Sequence, residues 1–140
     1  MIAENAADLY TKVQAIPALS ASTGITLGGK APDPGMTKIQ LPAAWVLPDD
    51  GETVQDDRVG QLPRLANARL SYLVMLYLPY SSQSDLIANQ FPLLEQVIAT
   101  VNGTDAKSGQ RWLWRSYKLV LVNPDRLGYR IEFNLHSILN

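Results

Sequence analysis

Apolar residues recur at steps of three and four at the start of the chain: Ile2, Ala6, Leu9, Val13 and Ile16. That spacing is one stripe of a 3.6-residue period, and it predicts a helix over 3–16. Glu4 and Asp8 precede Lys12, an order that suits the helix dipole, and Pro17 ends the pattern. Residues 17–36 are rich in Gly, Pro and small side chains and are expected as a long loop, with a short strand at 24–27. Ile39, Leu41, Ala43, Trp45 and Leu47 then alternate with Lys38, Gln40, Pro42 and Ala44, the period of a strand over 37–47. Pro42 has no N–H for a ladder, so an edge or a bulge is expected there. A second polar loop is expected over 48–63.

Residues 65–78 carry the strongest strand pattern. It alternates at first (Arg69, Leu70, Ser71, Tyr72) and then turns apolar on both faces from Leu73 to Leu78, as a strand covered on both sides does. Ser81 to Ser84 offer N-caps for a helix running to about Val101, with Ile87, Phe91, Leu94, Val97, Ile98 and Val101 facing inward. Pro92 predicts a kink or a restart within it, and Asn102-Gly103 a C-terminal stop. Two strands follow, over 111–122 and 129–139, joined by the turn-forming stretch 123–128. In the second, Tyr129, Ile131, Phe133 and Leu135 take one face and Arg130, Glu132, Asn134 and His136 the other. These two strands predict an antiparallel hairpin. The order helix, strand, strand, helix, strand, strand predicts an α+β fold. In it, a mostly antiparallel sheet of four or more strands carries one or two helices on one face.

The length of 140 residues suits a single domain over 1–140 and a substantial buried core. Hydrophobic residues are 46% and charged residues 18%, which excludes disorder as the main state. Twelve Lys and Arg face thirteen Asp and Glu, a net charge of -1, and this argues against a protein devoted to gripping phosphates. With no cysteine, disulfides, thiolate metal sites, iron–sulfur clusters and thiol nucleophiles are excluded. The first residues lack the basic and apolar segments of a signal peptide, and no apolar run reaches membrane-spanning length, so a soluble protein made in a cytoplasm is expected.

No constellation of catalytic residues stands out. Gly24 to Lys30 matches the spacing G-x-x-x-x-G-K of a phosphate loop, but Ala31 stands where a hydroxyl is needed and Pro32 and Pro34 oppose the required helix. His136 is the single histidine, on the polar face of a strand and with no nucleophile elbow to serve. Asp49, Asp50, Glu52, Asp56 and Asp57 lack the spacing of a calcium loop and read first as a solvated acidic loop. No cofactor, metal or catalytic residue is therefore assigned. Arg111, Trp112, Trp114, Arg115 and Lys118 interleave aromatic and basic residues. That mixture suits a single-strand nucleic-acid platform or a protein interface, and the negative net charge favours the interface. Simple alternation places Trp112, Trp114, Ser116, Lys118 and Val120 on one face and Leu113, Arg115, Tyr117 and Leu119 on the other.

The layout of helix 3–16, strand 65–78 followed by helix 84–101, and closing hairpin 111–139 resembles the tail terminator proteins of long-tailed bacteriophages and prophages, of the minor tail protein U type. The resemblance spans nearly the whole chain and is one of architecture, which related head–tail connector and tail-completion proteins share. It implies a structural virion protein rather than an enzyme. Such a protein assembles in the host cytoplasm as a ring, expected to be a hexamer. The ring ends growth of the tail tube and receives the head–tail connector, while DNA only passes through its channel. Trp112, Trp114, Arg111 and Arg115 are then candidate interface residues, and Asp49, Asp50, Glu52, Asp56 and Asp57 a candidate docking loop or channel lining that repels phosphates. A small nucleic-acid-binding module, or a related head–tail connector or tail-completion protein, is the alternative.

Overall fold

A computed structural model of the chain describes residues 2–20, 41–54 and 66–139. Helix α1 (Ile2–Gln14) and a short turn of helix α2 (Pro17–Ser20) open the chain. Strands β1 (Ala43–Val54) and β2 (Ala66–Pro79) follow. A helical segment then runs through α3 (Gln83–Asp85), a π-turn (Leu86–Gln90) and α4 (Phe91–Val101). Strands β3 (Leu113–Asn123) and β4 (Arg126–Leu139) close the chain as a hairpin. The four strands form one antiparallel sheet in the order β1-β2-β4-β3, with the helices packed against it: the predicted α+β fold.

The main core lies between helices and sheet. Ala6, Leu9 and Val13 of α1 and Leu93, Leu94, Val97 and Val101 of α4 pack on Val46, Tyr72, Val74, Leu76, Ile131, Phe133 and Leu135. The stripe predicted for the first helix is thus the buried one, with Ile2 exposed at its start. A smaller cluster on the other side of the sheet joins Ala43, Trp45 and Tyr77 with Leu41, Met75 and Leu121. It accounts for the two apolar faces at the end of β2.

The second helix departs from its expected stripe. Phe91 N–H donates to the Leu86 carbonyl, five residues back, which makes the turn before Pro92 a π-turn. The extra residue rotates the helical stripe by about one position upstream. Leu86 is buried instead, and Ile87, expected inward, is 62% exposed. Ser82 is the N-cap, its hydroxyl accepting from Asp85 N–H at 3.1 Å. Gly103, at φ 80°, takes the left-handed position after α4.

Two boundaries move. The strand expected over 37–47 begins at Ala43, just after Pro42, and runs on to Val54, so the first half of the expected loop 48–63 is strand. It continues because β2 extends far enough to pair with it, with a bulge between Pro48 and Gly51 absorbing the proline. The hairpin turn is also tighter than expected, with only Pro124 and Asp125 between Asn123 and Arg126. The expected short strand at 24–27 lies outside the described residues.

Candidate assembly interface

β3 is an edge strand of the sheet and begins just beyond the C-terminal end of α4. Gly103 N–H donates to the Trp112 carbonyl and Trp112 N–H to the Thr104 carbonyl, each at 2.8 Å. Asn102 Oδ1 accepts from Trp114 N–H at 2.9 Å. The segment that caps the helix therefore fixes where β3 starts.

From there the chain splits its aromatic residues between interior and surface. Trp112 is 0% exposed, sits edge-on to Tyr72 with ring centroids 5.2 Å apart, and donates its indole N–H to Asp8 Oδ2 at 2.8 Å. Asp8 in turn holds Lys12 at 2.9 Å. Trp112 is thus a core anchor for α1. This corrects its place beside Trp114 in the candidate interface, because a side chain with no accessible surface has none to offer a partner.

Trp114 belongs to the other class. Leu113, Trp114, Tyr117, Leu119, Val120 and Val122 are 39% to 67% exposed. Trp114 and Tyr117 stack, with centroids 6.2 Å apart and planes 16° from parallel, and Tyr117 meets the Tyr129 ring at 6.1 Å. Burial raises the Tyr129 phenol above its ordinary value, and the neighbouring Tyr117 adds to this.

The faces of β3 also differ from simple alternation. Trp114, Tyr117 and Leu119 stand opposite Phe133, Ile131 and Tyr129, so they share the helix-bearing side of the sheet. Leu113, Ser116 and Lys118 stand opposite Asn134, Glu132 and Arg130 on the other side. Irregularities between Trp114 and Ser116 and between Leu119 and Leu121 cause the change, since each extra residue shifts the following side chains to the opposite face. The helices cover β1, β2 and β4 on their side and leave an apolar ledge along β3.

Both basic candidates are paired with acidic side chains. Arg115 lies 3.4 Å from Glu132 of β4, and Arg111 lies 3.5 Å from Asp105. Both guanidinium groups are mostly exposed, so these pairs add little to folding. The acidic candidates lie at the opposite edge of the sheet. Asp49, Asp50 and Glu52 are on β1, and Asp49 reaches across β2 to accept from Arg130 at 3.0 Å. Asp56 and Asp57 lie outside the described residues, as does the glycine-rich stretch with Lys30. His136 is on β4, its backbone paired with Arg69. Among the described residues, no group of three His, Cys, Asp or Glu side chains is placed to hold a metal ion. No helix among them is long and apolar enough to cross a membrane.

No family model matches the sequence, and no curated protein is similar to it. Among solved structures, the fold is similar to a chain from the virion of a native gene transfer agent particle. The TM-score is 0.58 at 12% identity, over 96% of this chain and 94% of that one. At that identity, what the two chains share is the fold.

Proposed function

We propose that this chain is a virion structural protein of the tail-terminator type. It forms one domain over 1–140 that closes with copies of itself into a ring, expected to be a hexamer, on the end of a tail tube. Its free surface receives the head–tail connector, and DNA passes only through the channel. It is assembled in the host cytoplasm and resides in the tail of the particle. The role is structural rather than enzymatic and uses no cofactor.

The observation that carries this reading is the open strand β3, with apolar side chains exposed along its length. Exposed apolar surface of this extent marks a place where another protein sits. An exposed strand edge adds unpaired backbone groups to that demand. The virion chain with the same fold supports a particle role. A ring is the closed form that heterologous contacts between identical copies take.

The direct test is the mass of the purified protein at several concentrations, read with negative-stain images. Rings are expected at high concentration or once tail-tube protein is added. Monomers alone under both conditions would overturn the reading. A second reading, a single-strand nucleic-acid module, draws on the stacked Trp114 and Tyr117, with Arg115 and Lys118 on the same strand. Its mark is oligonucleotide binding that weakens steeply with salt and is lost in Trp114→Ala.

A further inference from the structure

We propose that α1 is a register clamp for β3: acting through Trp112, Asp8 holds the bulge that gathers Trp114, Tyr117 and Leu119 into one ledge. Asp8 is in this sense a positioning residue for assembly. That use of the ledge rests on the ring reading above, whereas the clamp is a property of the single chain.

Within the sheet, the register of β3 is fixed only at its far end. There the two-residue turn at Pro124 and Asp125 sets Asn123 opposite Arg126. Burial of one face is what ordinarily pins a strand along the rest of its length, but residues 113–120 of β3 are all exposed. Ten residues from Trp114 to Asn123 stand against eight from Arg126 to Phe133, so Arg115 and Val120 have no opposite number. Pairing without the bulge at Arg115 would set Arg115 opposite Phe133 and Trp114 opposite Asn134. Trp114 would then pass to the helix-free side of the sheet, and its stack on Tyr117 would be lost.

The helices hold the other end. Asn5, Asp8 and Lys12 share one face of α1, and each reaches the segment 103–112 that leads into β3. Ser108 Oγ donates to Asn5 Oδ1 at 3.2 Å, Lys12 Nζ to the Asp105 carbonyl at 3.1 Å, and Trp112 Nε1 to Asp8 Oδ2 at 2.8 Å. The segment is closed on itself: Ala106 N–H donates to the Gln110 carbonyl, and Asp105 pairs with Arg111 as an isolated bridge. It therefore passes the position of α1 on to Trp112. The slip that sets Arg115 opposite Phe133 would bring Leu113 into the Trp112 site. Leu113 has no donor for Asp8, and the bulky indole would have to leave a site where it is 0% exposed. From α4, Asn102 Oδ1 accepts from Trp114 N–H at 2.9 Å and forms the second jaw of the clamp.

The clamp makes the assembly surface conditional on α1. A chain whose first helix is not docked lacks the hold on Trp112, and with it the aromatic end of the ledge. Copies then join only once each domain is complete, which keeps a half-folded chain with an open strand edge out of the ring.

The test reads the register of the dilute monomer and its association separately, on the full chain. Asp8→Ala with Asn102→Ala opens both jaws, and circular dichroism establishes that the variant folds. Should it not, Trp112→Phe with Asn102→Ala keeps a ring in the core and opens the same two contacts. Cross-strand NMR contacts in the wild type should set Trp114 opposite Phe133, with its ring on Tyr117. In the clamp variant Trp114 should lie opposite Asn134 and the ring contact should vanish. Self-association should fall at least ~10-fold, as on losing an aromatic anchor. Deleting Arg115 from that variant removes the unopposed residue, so it should return Trp114 to Phe133 and restore association with both jaws still open. Leu94→Ala, a core truncation in α4 that touches neither jaw, should leave the register unchanged. Trp114 still opposite Phe133 in the clamp variant would overturn the clamp. So would a failure of the Arg115 deletion to restore the register, or the same shift in Leu94→Ala. A register that shifts and is restored as expected, in a protein that never assembles alone or with tail-tube protein, would remove the ring reading and leave the clamp standing.

Discussion

The two edges of the sheet contain similar residues and meet opposite fates. At β1, Ala43, Ala44, Trp45 and Val46 are closed from solvent, with the main core on one side and the Trp45–Tyr77 cluster on the other. At β3, Trp114, Tyr117, Leu119 and Val122 point to the same side as the helices and stay exposed. Apolar residues on both faces of a strand thus announce that it will be covered, but not by what. The described chain supplies the cover at the start of β1. At β3 the surface fits a cover supplied by another molecule.

The largest expected effect separates two tryptophans at adjoining positions of this boundary. Trp112→Ala should cost about 3–5 kcal/mol in urea unfolding, because it empties a core site and leaves Asp8 without its indole donor. A cost below about 1 kcal/mol would mean that Trp112 does not anchor α1. Trp114→Ala should weaken self-association by at least ~2 kcal/mol, as interface hot spots do, measured by sedimentation equilibrium. Unchanged association would move the interface away from β3.

Gly128 tests how the open edge is tied to the covered sheet. A Cβ there would lie 2.9 Å from Leu121 Cβ of β3 and 2.9 Å from Tyr77 Cε1 of β2. Gly128→Ala should cost about 1–3 kcal/mol in the same unfolding experiment, through forced displacement of one of these groups. Removing the N-cap with Ser82→Ala should cost about 1 kcal/mol and leave association unchanged. The smallest effect sharpens the contrast most. On the stability of the dilute monomer, Trp114→Ala should register within about 0.5 kcal/mol, as exposed substitutions do.

Elements with one regular period were legible in the sequence. The stripe Ala6, Leu9, Val13 and the alternation Tyr129, Ile131, Phe133, Leu135 each lie buried as their spacing implies. What escaped was every place where a residue is added or a strand outlasts its apolar pattern. The π-turn exchanges Leu86 for Ile87, and the irregularities in β3 move Tyr117 and Leu119 to the side of Trp114. Asp49, Asp50 and Glu52 read as loop because a run of acidic residues looks like a solvated one; Glu52 is strand through its pairing with β2, and Asp49 and Asp50 lie in the bulge that interrupts that pairing. The role of Trp112 was open for a similar reason. Its partner Asp8 lies 104 residues away, and no local pattern connects them.

Hydrogen exchange, compared between dilute monomer and assembled protein, tests the central claim that β3 is completed by another copy. The account predicts that amides of β3 facing away from β4 exchange freely in the monomer and gain protection on assembly. Those of β1 over Ala43 to Val46 should be protected in both states. Equal exchange of β3 in the two states would contradict the account.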